Sequence, residues 1–300
     1  RLSAGCISAG GTLGILIPPS IMLVVMGPVV GVPVTDLFAA AIFPGMILAS
    51  IYIGYTLIRC WINPELGPPL PVELRATSMI WVAKELALGV IPVLTLILAV
   101  LGSIMAGMAT PTEGAAAGAF GSLVLTLVYR RITWKGLWNS ALRTVEISAM
   151  ILLLVAASNF FGSVFSRLGS ATMLTDLLMS LNLPPMLMLL LILALIFILG
   201  WPLEWVPIIL IIVPILMPLI RQMDYNLLWF CTLVAVTLQT AWLSPPVALS
   251  AYFLKGVVPN WELKDIYVGM MQFMVLQVIG LLLIVFFPAI ATWLPAFLSR

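Results

Sequence analysis

The sequence predicts an all-α polytopic membrane protein. Three observations lead there. Hydrophobic residues make up 63% of the chain and charged residues only 8%, at a mean hydropathy of +1.23, a balance that excludes a water-soluble globular domain. The apolar residues fall into runs of about twenty, the helical length that crosses a hydrocarbon core of about 30 Å. Two of these runs carry a double proline at mid-length, in Ile17-Pro18-Pro19-Ser20 and Leu243-Ser244-Pro245-Pro246. Each proline removes a backbone donor and clashes with the preceding turn, so each run becomes two half-helices with unpaired carbonyls and amides between them. Lipid cannot satisfy those groups. Such breaks persist at membrane depth only where protein, water, an ion or a substrate does, and a matched pair of them points to a transporter's binding site.

Composition also narrows the chemistry. The chain has no histidine, which excludes histidine metal sites, histidine proton relays and Ser-His-Asp catalysis. Thirteen Lys and Arg against eleven Asp and Glu leave a net charge of +2, and no basic run suggests nucleic acid. Cys6, Cys60 and Cys231 lie far apart in apolar surroundings and read as free buried thiols. The chain begins at Arg1 without a methionine or leader, so an N-terminal part is expected to precede it.

In order, residues 2–28 form the first span, broken at Pro18-Pro19, with Gly10, Gly11 and Gly14 weakening the helix before the break. A second span follows from Asp36 to Arg59, completing a first region at residues 1–62. Residues 63–90 read as a cytoplasmic loop and an interfacial helix, because charges alternate there with Trp81, Leu86 and Leu88. A third span covers 91–108. Thr110-Pro111-Thr112-Glu113 is a helix start, with Thr110 as cap, Pro111 in the first turn and Glu113 closing a capping box; a functional Glu113 is the other reading. An amphipathic surface helix at 133–145 leads into a span at 146–166, closing a scaffold region at 91–166. Within 167–256, residues 185–221 read as two short apolar arms around Gly200-Trp201-Pro202-Leu203-Glu204. Fifteen residues reach only about 22 Å, so a re-entrant hairpin is expected, with one long kinked helix as the alternative. Residues 226–256 form the second broken helix and 264–298 the last span. With residues 59–84 cytoplasmic, this alternation leaves only Arg167, Arg221 and Arg300 of the thirteen Lys and Arg outside.

Glu204 is the one carboxylate deep in an apolar stretch, where a charge costs about 2.5–3.5 kcal/mol on insertion scales. It reads either as a cation ligand or hairpin-tip element, or as a cap for the half-helix starting at Trp205. A lone carboxylate without a partner does not support acid–base catalysis. The backbone at the breaks is the stronger candidate, since freed carbonyls are hard oxygen ligands for sodium and half-helix N-termini attract an anion. The carbonyls of Gly14, Ile17 and Pro19 form one candidate cation cluster and those of Ala241, Ser244 and Pro246 its mate, with identical offsets.

Ala9-Gly10-Gly11-Thr12-Leu13-Gly14-Ile15-Leu16-Ile17-Pro18-Pro19-Ser20, the Ala109-Thr110-Pro111-Thr112-Glu113 helix start and Ser244-Pro245-Pro246 together resemble the large membrane subunit (DctM-like) of tripartite ATP-independent periplasmic (TRAP) transporters. The resemblance covers the whole chain. It implies an elevator-type transporter built from inverted repeats, each with a re-entrant hairpin and a broken helix; the first hairpin would precede this chain. It also implies sodium-coupled uptake of an organic anion, mostly a carboxylate, across the bacterial inner membrane. The anion is delivered by a periplasmic substrate-binding protein, a small four-helix membrane subunit is the partner, and no cofactor is needed beyond sodium as coupling ion. The residues flanking the breaks and the hairpin tip, Thr12, Ser20, Gly200, Trp201, Thr240 and Trp242, are the expected substrate contacts. One departure stands out: where the family usually has Gly-Leu-Ile-Thr before the second double proline, this chain has Ala241-Trp242-Leu243-Ser244. The rival readings are a non-transporting assembly subunit and an intramembrane enzyme.

Overall fold

The first apolar run folds into two helices, α1 (Leu2–Leu16) and α2 (Ile21–Val30), in a computed structural model that describes residues 1–69, 71, 75, 76, 78–245 and 248–298. Ile17 turns to extended backbone, and Ser20 caps α2 by accepting the Leu23 amide while its own hydroxyl donates to the Ile15 carbonyl. The Pro18-Pro19 peptide bond is cis. Helix α3 (Val34–Ile62) follows.

The chain divides into two compact units, Ile58–Ser148 and the remainder. The smaller unit is built on α4 (Met79–Met105) and α5 (Pro111–Val128), an antiparallel pair. Gly114, Gly118 and Gly121 give α5 a smooth stripe. A Cβ on Gly114 would meet Ile104 at 2.6 Å and one on Gly118 would meet Val100 at 3.3 Å, while Gly121 faces Leu96, so the backbones can approach closely. The capping box at Thr110 forms in full: the Thr110 amide donates to Glu113 Oε2 at 2.7 Å and the Glu113 amide to Thr110 Oγ1 at 3.3 Å. Glu113 therefore has the structural role. The surface helix expected before residue 91 is not separate from the span after it, because Ser78 caps a helix that runs unbroken to Met105. Lys84 and Glu85 are good helix formers, and two charges change where a helix is wet without ending it. For the same reason residues 133–145 and the span after them form one helix, α6 (Trp134–Arg167).

The larger unit then continues through α7 (Ser170–Ser180), α8 (Pro185–Leu199), α9 (Trp205–Pro207), a π-helical turn (Ile208–Ile212) and α10 (Val213–Gln222). The Tyr225 hydroxyl, past the end of α10, donates to the Pro185 carbonyl at the start of α8, so the two arms run antiparallel and close on themselves. They are a hairpin and not one kinked helix. Its second arm, 205–222, is itself eighteen residues long and apolar up to Ile220.

At the centre lies α11 (Leu227–Leu243), in which every residue except Leu227, Leu228 and Trp242 is buried. A helix apolar on all sides is stable only when surrounded, and α1, α8 and α13 (Leu263–Phe286) surround it. Gly5 of α1 meets Gly269 of α13 backbone to backbone, and Arg1 ion-pairs with Asp265 at 2.7 Å at the same end. Beyond Ser244 the chain resumes as α12 (Leu249–Val257) after Ala248, whose φ of 22° is rare for a residue with a side chain. The last run, expected as one span, is two helices: α13 ends at Phe286 and α14 (Ala289–Leu298) starts after Pro288. The residue before a proline is driven out of the α region, and Phe287 takes φ −123°, ψ 74° accordingly.

Among the described residues, six helical stretches are long and apolar enough to cross a membrane. The three cysteines are free, with Cys231 buried and Cys6 and Cys60 partly so.

Candidate functional site

The hairpin tip meets the second break. Gly200 has no side chain because none fits: a Cβ there would fall 2.6 Å from the Ala241 Cβ on α11. This contact seats Gly200, Trp201, Pro202, Leu203 and Glu204 beside Ala241, Trp242, Ala248 and Leu249, around a cavity of about 100 Å³. Five of the residues singled out from sequence are thereby brought together: Gly200, Trp201, Glu204, Ala241 and Trp242. The Trp201 ring packs edge-on against Phe197 with centroids 5.5 Å apart, and its indole Nε1 is buried without a hydrogen-bond partner. Glu204 occupies the cap position of α9, yet its side chain makes no capping bond and is exposed at the tip.

A second concavity, a groove of about 360 Å³, lies between α1 and α12. Ile7, Ser8, Gly11 and Thr12 line one side, Ser250, Phe253, Leu254 and Val257 the other, and Trp242 lines both this groove and the first cavity. Thr12 is buried and gives its proton to the Ala9 carbonyl at 2.8 Å, so its oxygen can only accept from Gln239 Nε2, 3.2 Å away on α11. That orientation leaves Gln239 Oε1 fully buried and unpaired, as is the Ser8 hydroxyl.

The other sequence candidates occupy different surroundings. Gly14, Ile17 and Pro19 are exposed; nothing lies within 4 Å of where a Gly14 side chain would start, and the Ile17 side chain rests on Gly45. Ser20 is committed to capping α2. The Thr240 hydroxyl donates to the Thr237 carbonyl, and Ser244 donates to the Thr240 carbonyl at 2.8 Å with Met274 Sδ at 2.9 Å. Among the described residues, the Ala241 carbonyl accepts the Ser244 amide at 3.2 Å and the Ser244 carbonyl accepts the Ala248 amide at 3.1 Å. Pro246 lies outside the described residues. Among the described residues, no three Cys, Asp or Glu side chains converge as a transition-metal site would need.

Sequence reasoning passed over Gln239. The signal was present: Gln239 stands six residues before Pro245 as Thr12 stands six before Pro18, and a carboxamide within an apolar run needs a partner. Ser8, Ala248, Leu249 and Ser250 were missed as well, and for these no local pattern exists.

The chain is 28% identical over 288 residues to the 2,3-diketo-L-gulonate TRAP transporter large permease protein of Escherichia coli (strain K12), covering 95% of this chain and 66% of that protein. It is 26% identical over 297 residues to the sialic acid TRAP transporter permease protein of Haemophilus influenzae, covering 98% and 47%. To the C4-dicarboxylate TRAP transporter large permease protein of Rhodobacter capsulatus it is 28% identical over 316 residues, covering 100% and 70%. The chain thus spans about half to two thirds of the length of these relatives. All three are named as permeases, and the six membrane-length stretches place the protein in the inner membrane. Residues 1–290 match the model of the tripartite ATP-independent periplasmic transporter DctM component, and the chain belongs to that family.

Proposed function

We propose that this chain forms part of a sodium-coupled secondary transporter that imports an organic anion by an elevator mechanism. In this reading the hairpin α8–α10 and the broken helices α1–α2 and α11–α12 move together as the solute-carrying body. A periplasmic binding protein delivers the solute, and a small four-helix membrane subunit completes the membrane part. The observation that carries the proposal is the seating of the Gly200–Glu204 tip on Ala241 and Trp242 at the second break, where Glu204 and the two half-helix ends line a cavity. Sodium is assigned to the Ala241 and Ser244 carbonyls with Glu204 at the tip, and to the Gly14, Ile17 and Pro19 carbonyls at the other break.

The inverted repeat draws support from Thr12 and Gln239. They hold the same position in their two helices, 227 residues apart, and they bond to each other, as equivalent positions do across a two-fold axis. In this register the hairpin's seat on α11 and α2 corresponds to α1 and α12. The groove between α1 and α12 is therefore the seat we assign to the first hairpin of the full protein.

The test is uptake by the full-length permease reconstituted with its subunits in liposomes. An inward sodium gradient should drive accumulation of a labelled organic acid, and a sodium ionophore should abolish it. Uptake indifferent to the gradient would refute sodium coupling, and no uptake of any acid would refute the transport reading.

A further inference from the structure

Independently of the transport reading, we propose that the end of the smaller unit where α5 passes into α6 holds an anionic phospholipid, its phosphate taken by Lys84, Arg130, Arg131 and Lys135. The backbone brings these cations to one end. Gly114 stands against Ile104, Gly118 against Val100 and Gly121 against Leu96, and the Tyr129 hydroxyl donates to the Leu88 carbonyl at 2.6 Å. Every step along α5 is thus matched by an equal step back along α4. Lys84 lies one helical turn before Leu88 and so stands level with the loop that follows Tyr129, and Lys135 opens the next helix. All four side chains are exposed, and among the described residues none of them is in an ion pair, whereas Arg143 is held by Glu146 at 2.8 Å.

Arg130 follows α5 at a φ of 54°, in the left-handed region that glycine enters freely, and past the ends of α4 and α6 the chain does use glycine, Gly107 at 70° and Gly169 at 73°. Glycine would serve the turn better. The guanidinium therefore serves something else, either the negative end of the α5 dipole or an anion from outside. The surroundings point to a lipid. Trp81, Trp134 and Trp138 are exposed at this same end, amphipathic rings of the kind that sit at headgroup depth. Phe120, Val124 and Leu127 form an exposed apolar stripe along α5, on the face away from its glycines. A soluble anion would leave the stripe bare, whereas a phospholipid joins a charged head to chains that cover it. The charge distribution predicts this end to be cytoplasmic, where basic side chains near the surface attract anionic headgroups.

The full-length permease, purified with its membrane partner in a neutral detergent, is titrated with phosphatidylglycerol and with phosphatidylcholine, and bound lipid is counted by native mass spectrometry. One site should take phosphatidylglycerol on the order of ten- to hundredfold more tightly, the ratio that two or three surface cations supply at about fivefold each. Arg130→Gly, Arg131→Gln and Lys135→Gln combined should abolish that preference. The melting temperature in lipid-free detergent should hold, since glycine suits the turn. Arg167→Gln, Arg221→Gln and Lys264→Gln combined remove as many charges elsewhere and should leave the preference in place. A preference that is absent, that survives the first set or that falls equally in both sets overturns the inference. Loss of the membrane partner from the first set with the lipid preference intact would assign this surface to that protein, and overturns it as well.

Discussion

At the scale of single residues, several polar atoms are left without partners in an apolar setting. Trp201 Nε1, Gln239 Oε1 and the Ser8 hydroxyl are buried and unpaired around the hairpin tip and the α1–α11 contact. Buried polar atoms are ordinarily bonded, and the Tyr52 hydroxyl and Gln277 Oε1 are further exceptions among the described residues. Glu204 differs in being exposed, and as a cap it contributes no bond. Glu204→Gln should therefore flatten the sodium dependence of uptake while expression and melting temperature stay near wild type. Unchanged sodium activation together with a stability loss of about 1 kcal/mol would instead indicate a capping role.

At the scale of elements, glycine decides which helices touch. Gly200 lets the hairpin tip rest on α11, as Gly5 and Gly269 let α1 lie along α13. Gly200→Val should push the tip off Ala241, costing about 1–3 kcal/mol as overpacking does and removing uptake. Gly54→Ala, a helical position with nothing within 4 Å of the added carbon, should retain uptake and full stability. Equal damage from both substitutions, read by thermal melting and transport, would mean that the tip contact is not special. The prolines act by a similarly local rule: Pro18-Pro19, Pro245 and Pro288 each stop a helix, whereas Pro44 and Pro92 are carried within α3 and α4. A proline costs one bond and some strain; whether the helix survives depends on what its neighbours hold in place.

At the scale of the whole molecule, orientation follows from charge. The Lys and Arg distribution predicts Lys264 inside and Arg221 outside, and between them the chain runs through a single broken helix, α11–α12. Arg221→Cys should react with an impermeant thiol reagent on intact cells, and Lys264→Cys only after the membrane is opened. Both labelling from one side would mean that α11–α12 does not cross, and would undo the inverted arrangement on which the two-break site depends.

Much of the fold was legible in the sequence, because the rules that govern it are local. Hydropathy determined the class, the missing donors of Pro18-Pro19 and Pro245 placed both breaks, and Thr110 with Glu113 marked the start of α5 to the residue. The same rules also misjudged continuity: alternating charge before residue 91 suggested a boundary where the backbone simply continues, and Pro288 was read through although Phe287 had to leave the helix. The candidate site was legible only as a set of names. That Gly200 faces Ala241, that Trp201 and Trp242 wall one cavity, and that Thr12 bonds Gln239 across 227 residues were decided by tertiary structure. Such pairings depend on where helices cross, and crossing is set by the shapes of whole faces packed against each other, which no stretch of sequence carries alone.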